Sequence, residues 1–218
     1  VSLGVRSVAF LLIPASAVSA VLALPITRLV YERGEFRPED TQVVGAALAA
    51  YSLGLAFNGA MLMLNRAFFS LQHPWIPTAV AGGNLFLNGV LDWALYPLGI
   101  WAIPLATSLV NIGGTIALLV LLRRRLGAFD IAGLVRSCVR ILLASVVATG
   151  IAYGVWRGFD DSLGRSLGAQ VASVGLALVA AACGYIVAAN ALRVSELQAL
   201  LTLVGRFGRR TGRGRRPA

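Results

Sequence analysis

The sequence predicts an all-α protein, a polytopic membrane bundle of six transmembrane helices. Three observations carry this. The chain of 218 residues is 58% hydrophobic and 13% charged, with a mean hydropathy of +0.80, too little charge to cover a soluble domain. Its apolar residues fall in runs of about 20 or more, the length that crosses a hydrocarbon core of about 30 Å. Gly is abundant, at 24 residues, and aromatics are sparse, at 8%, as expected where helices pack closely in lipid.

The six runs lie near 6–27, 43–71, 77–98, 101–122, 134–156 and 168–192. In the first, Pro14 removes a helical hydrogen bond and predicts a kink that neighbouring helices tolerate in a bundle. Pro25 predicts the end of that helix. The second run is longer than a bilayer needs and is expected to tilt or to extend beyond the lipid. The third is interrupted by Asn84, Asn88 and Asp92. The fourth follows a short uncharged link, residues 97–100, and ends at Arg123, Arg124 and Arg125. The fifth has no acid or amide between Ile141 and Trp156, and the sixth has only Gln170 and Asn190. These two are expected to form an apolar, lipid-facing pair. The expected organisation is four spans in 1–125, two additional spans in 126–192 and a basic cytoplasmic tail in 193–218. The chain begins at Val1 without Met, and we expect it to be a piece of a longer protein.

Orientation follows from the arginines, because cytoplasmic links carry an excess of positive charge. All 19 basic residues are Arg. Five of them (Arg28, Arg33, Arg37, Arg157 and Arg165) fall in one set of links, and the rest fall on the other side with the tail. Both ends of the chain are therefore expected in the cytoplasm. The tail, with Arg206 to Arg216, reads as an anchor at the anionic inner leaflet and not as a nucleic-acid-binding element. Cys138 and Cys183 lie in apolar runs and read as packing residues. No nucleophile–base pair, phosphate-binding Gly loop or metalloprotease motif is present, so the chain is not expected to be an enzyme.

Asn84, Asn88 and Asp92 are spaced i, i+4, i+8 and share one helix face. An ionised Asp at a bilayer centre costs about 2.5–3.5 kcal/mol on insertion scales, less near an interface. Three readings are open from the residues alone: interhelical hydrogen bonds with Asp92 reaching to the interface, a cation site of oxygen donors, or proton carriage by Asp92. Asn58, Asn65 and Asn111 read as interhelical hydrogen-bonding residues. His73 reads as a solvated side chain in a short link.

The link after the first run carries Pro25-x2-Arg28-x3-Glu32-Arg33-Gly34-x-Phe36, then Glu39-Asp40-Thr41 and Tyr51-Ser52-Leu53-Gly54. Gly34 supplies a turn, and the two acids suit the N-terminal end of the next helix. Further on come Arg66-Ala67-Phe68-Phe69, His73-Pro74, Ile76-Pro77, and Gly99 followed by Pro104-Leu105-Ala106-Thr107-Ser108. This pattern resembles the MurJ/MviN family, the lipid II flippases of the multidrug/oligosaccharidyl-lipid/polysaccharide exporter superfamily. The match covers roughly residues 3–125, and beyond that only the hydropathy pattern agrees.

The resemblance implies a fourteen-span, two-lobed fold, of which this chain looks like spans nine to fourteen. It implies transport of the undecaprenyl-pyrophosphate-linked peptidoglycan precursor, lipid II, across the bacterial inner membrane by alternating access. The partners implied are lipid II, membrane lipids and the missing N-terminal lobe, where the family keeps its cavity arginines. Without that lobe the chain alone is not expected to be a working flippase. The resemblance also implies a sodium ion, the one cofactor candidate. An Asn and an Asp one turn apart match Asn88 and Asp92. A threonine hydroxyl and the carbonyl one turn before it match Thr107 and Ile103, with Ser108 competing for the threonine's place. Arg6 and Arg66 are the candidates for lipid phosphate. The alternatives are another polysaccharide-lipid or drug/cation exporter of the same superfamily, against which the Glu32-to-Phe36 link argues, and a non-transporting membrane scaffold.

Overall fold

The computed structural model describes residues 2–32, 36–126, 131–163, 167–194 and 196–197. The expected turn at Gly34, Arg33 and Arg165, and the basic tail from Arg206 to Arg216, lie outside the described residues.

The described chain contains α1 (Ser2–Val21), α2 (Ala23–Tyr31), α3 (Pro38–Ser70), α4 (Trp75–Leu95), α5 (Ala102–Leu126), α6 (Ile131–Leu163) and α7 (Leu167–Ala191). The expectation at Pro25 is met in part: α1 ends at Val21, whose carbonyl lies four residues before Pro25 and gains no N–H from it. The chain then resumes as α2, with Pro25 in its first turn. There its missing N–H is one that the helix could not use anyway. Pro14, in contrast, sits inside a continuous α1.

The other ends follow local chemistry. Pro38 opens α3, and the Arg37 N–H donates to Asp40 Oδ2 at 3.0 Å, which satisfies one of the orphan donors at that end. Gln72 ends the α3 turn with a φ of 58°, where the His73 N–H reaches back to the Phe68 carbonyl at 3.0 Å. At the far end of α4, Tyr96–Leu98 forms a turn of 3-10 helix, and Gly99 turns the chain into α5 with a φ of 104°, a conformation that favours glycine. Gly99 and Gln72 mark the two ends of the bundle.

Among the described residues, five helices are long and apolar enough to cross a membrane: α1, α3, α5, α6 and α7. The sixth expected span, α4, has the length, at 21 residues, but Asn84, Asn88 and Asp92 lower its hydropathy. The helices pack in the order α4, α5, α3, α1, α6, α7, with α2 against α3 and α7. A cluster at the Gln72 end joins Val5, Leu64, Phe68, Leu118 and Leu122. A second joins Phe10 of α1, Ile141 and Ala144 of α6, and Tyr185 and Ala189 of α7. Small residues dominate the α6–α7 seam: Ala152, Ala177 and Ala181 are buried there, which lets helices approach closely in lipid. The large apolar side chains of α6 and α7, such as Val146, Val179 and Val187, are exposed on the outside of the bundle.

Across the Gly99 end, Arg28 of α2 pairs with Asp160 of α6 at 3.6 Å and with Glu32 at 3.6 Å. These groups are partly exposed, so the pairs hold geometry more than they add stability.

Candidate functional site

The polar face of α4 meets α5 in antiparallel register. Asn84 lies nearest the bundle centre. Its side chain covers Gly114, where any Cβ would collide with it, and its Nδ2 lies 3.8 Å from Met61 Sδ of α3. Asn88, one turn on, donates from Nδ2 to Thr107 Oγ1 at 3.4 Å. Thr107 in turn donates to the Ile103 carbonyl at 3.3 Å. One turn further, Asp92 is half-buried, and its Oδ1 is buried without a hydrogen-bond partner.

The register of α5 is decided by the opposite face. Ser108 is 1% exposed and donates to the Ala50 carbonyl of α3 at 2.7 Å. It is committed to α3, and Thr107 is the hydroxyl turned toward α4. Asn88, Thr107 and the Ile103 carbonyl are thus brought together, with Asp92 next along the same face.

The donor set suits a hard monovalent cation. Every group offers oxygen: a carboxylate, a carbonyl, a hydroxyl and an amide. A half-turn of the Asn88 amide presents Oδ1 in place of Nδ2. The buried, unpaired Asp92 Oδ1 is an acceptor that a cation would satisfy, and such orphaned atoms are uncommon in folded proteins. Asp92 is the one carboxylate among these four groups, and a single negative charge suits a singly charged ion better than a doubly charged one.

The remaining candidates lie elsewhere. Arg6 is half-buried near the start of α1 and Arg66 is exposed near the end of α3, both at the Gln72 end and far along the bundle from Asp92. His73 is exposed, and Cys138 and Cys183 are free thiols.

The expected role of the other amides is corrected. The described residues give Asn58 and Asn111 no side-chain hydrogen bond, and Asn65 Oδ1 is buried without a partner. Hydroxyls join the helices instead. Ser16 of α1 donates to the Ser52 carbonyl at 2.6 Å and accepts from the Ala56 N–H at 3.3 Å, so it bridges one rung of α3. Thr115 donates to the Phe57 carbonyl at 2.8 Å. Tyr185 of α7 donates to the Phe10 carbonyl of α1 at 2.7 Å. The sequence held one clue to the last. Pro14 has no N–H for the carbonyl four residues before it, which is that of Phe10.

The family model described as lipid II flippase MurJ matches residues 1–165. A probable lipid II flippase MurJ of Synechocystis sp. is 33% identical over 147 residues, covering 67% of this chain and 28% of that protein. A probable lipid II flippase MurJ of Rhizobium meliloti is 33% identical over 187 residues, covering 84% of this chain and 33% of that protein. A solved structure titled lipid II flippase MurJ, inward closed conformation, matches with a TM-score of 0.69 at 23% identity, covering 87% of this chain and 39% of that one; this shows a shared fold. The chain spans about a third of the length of the curated relatives it matches.

Proposed function

This chain belongs to the lipid II flippase MurJ family, and from that premise we propose that it is the C-terminal part of a flippase. The whole protein moves the undecaprenyl-pyrophosphate-linked peptidoglycan precursor across the bacterial inner membrane by alternating access. Its work is transport and not catalysis. The N-terminal lobe of the same protein supplies the other half of the cavity, and both ends of this chain face the cytoplasm.

The physical need is clear. A large polar headgroup cannot cross about 30 Å of hydrocarbon with its hydrogen-bonding groups unsatisfied. A two-lobed cavity carries the headgroup while the lipid tail stays in the bilayer. The apolar outer faces of α6 and α7 suit contact with that tail.

The observation that supports a coupled transporter best is the convergence of Asn88, Thr107 and the Ile103 carbonyl beside the unpaired Asp92 oxygen. These four groups would hold a sodium ion. When bound, the ion supplies a positive charge that neutralises Asp92 and ties α4 to α5. Asn88 and Thr107 orient the site, and the seat of Ser108 on α3 fixes which face of α5 lines it. A bound ion shifts the balance of access states only through its different affinity for them.

The test is depletion of the full-length protein from growing cells. Lipid II should then accumulate on the cytoplasmic face. An unchanged distribution of lipid II across the membrane would leave the chain as part of a membrane scaffold.

A further inference from the structure

Asn58, Asn84 and Asn111 are amides that the sodium reading leaves unused. Spacing and contacts put them at one level of the bundle. Asn111 lies one turn beyond Thr107, and Asn84 one turn before Asn88, so both continue the faces on which those two meet. Asn58 lies between Gly54, which Ser108 packs against, and Met61, whose Sδ is 3.8 Å from Asn84 Nδ2. Ser108 and Thr115, on either side of Asn111, donate to the Ala50 and Phe57 carbonyls of α3, which sets Asn111 level with Asn58. The three amides therefore gather in the groove between α3, α4 and α5, one turn nearer the bundle centre than Asn88 and Thr107.

All three are half-buried. Among the described residues, Asn58 and Asn111 make no side-chain hydrogen bond, although both stand well inside their helices, α3 (Pro38–Ser70) and α5 (Ala102–Leu126). Hydrocarbon offers an amide no partner. The groove is thus suited to water, or to an ion that water carries in, and not to lipid tails. An amide oxygen is also a ligand for a hard cation. Neutral oxygens hold a cation more weakly than a carboxylate does, and weak holding lets it pass on. The opposite side of Asp92 offers nothing comparable. Residues 93–106 carry no carboxylate, amide or aliphatic hydroxyl. Trp93 and Tyr96 follow Asp92, and the Trp101 ring rests on the Gly99 turn, its Cδ1 3.7 Å from where a Cβ would stand. An ion that sheds its water there meets no side-chain ligand to replace it.

We propose that Asn58, Asn84 and Asn111 form a second, weaker cation site, and that sodium reaches Asp92 through it from the middle of the bundle and not past the Gly99 turn. The inference rests on the sodium reading of Asp92. The amides govern the rate at which the ion exchanges. Asp92, Asn88, Thr107 and the Ile103 carbonyl govern how tightly it is held.

The test uses the full-length protein lacking Cys138 and Cys183, with Asn111→Cys added and N-ethylmaleimide as a neutral plug. Radioactive sodium on the protein is counted by filtration after rapid mixing. The thiol at 111 should react readily, because the reacting species is a thiolate and needs water. Leu109→Cys, on the exposed apolar side of α5, should react far more slowly. Plugged before sodium is added, the protein should load about tenfold more slowly, the effect of about 1.4 kcal/mol of added barrier. Plugged after loading, it should release sodium on dilution more slowly by the same factor. The same plug on Trp101→Cys should change neither rate. Were Asn111→Cys to lose its fold, Asn58→Cys carries the test. A thiol at 111 no more reactive than one at 109, or rates untouched by the plug, overturn the route and leave the Asp92 site standing. Faster release from the plugged protein makes Asn111 part of the tight site and overturns the route as well. Slowing by the plug at 101 moves the entry to the Gly99 end. No sodium on the unplugged protein overturns the reading of Asp92 itself.

Discussion

Ser108 of α5 rests directly on Gly54 of α3. A Cβ at position 54 would stand 2.7 Å from the Ser108 Cα, and the Ser108 hydroxyl donates to the Ala50 carbonyl at 2.7 Å. This seat fixes the rotation of α5. Its neighbour Thr107, about 100° round the helix, is thereby presented to Asn88.

Gly54→Ala should therefore cost about 1–3 kcal/mol, the usual penalty of forcing a methyl group into a packed site. Gly113→Ala, at an exposed position inside α5 with open space around it, should not lower stability and should raise it by up to about 1 kcal/mol. Thermal unfolding of the purified full-length protein measures both. Equal losses would mean that α3 and α5 are not seated as described.

Sodium should stabilise the full-length protein through Asp92. Asp92→Asn is expected to abolish the sodium-dependent rise in melting temperature, while Asn84→Ala, whose side chain faces Gly114 and Met61, should leave most of it. A rise of the same size in wild type and Asp92→Asn would place the ion elsewhere or nowhere, and interhelical hydrogen bonding would account for the polar face of α4.

Thr107 and Ser108 should separate cleanly although they are adjacent. Thr107→Val removes an oxygen from the candidate site and should weaken the response to sodium with little loss of stability in its absence. Ser108→Ala removes a bond to α3 and should lower stability by about 0.6 kcal/mol, the average for such bonds in a membrane, with the sodium response intact. A sodium titration of melting temperature for each variant decides it, and the reverse pattern would sink the assignment of Thr107.

The orientation is checked by cysteine labelling in the full-length protein lacking Cys138 and Cys183. An impermeant thiol reagent applied to spheroplasts should reach Glu35→Cys and should miss Gly127→Cys and Gly212→Cys. Labelling of position 127 from outside would invert or break the topology.

The sequence by itself determined the helical bundle and the approximate ends of its spans. Those depend on hydropathy and on local chemistry: the acids at the start of α3, the uncharged turn at Gly99, the arginines that close α5. It also determined that Asn84, Asn88 and Asp92 share a face, because helical spacing is a local property. Only the tertiary structure decided what that face meets. Whether Thr107 or Ser108 turns toward Asn88 depends on how α5 is rotated, and the close approach at Gly54 sets that rotation. Pro25 marked where α1 ends, because the Val21 carbonyl four residues before it has no helical donor; that the chain resumes at once as α2, packed against α3 and α7, was decided by the tertiary structure. Pro14 announced a free carbonyl, yet the donor lay 175 residues away, and pairing over such a span is set by how the helices pack and not by the residues on either side.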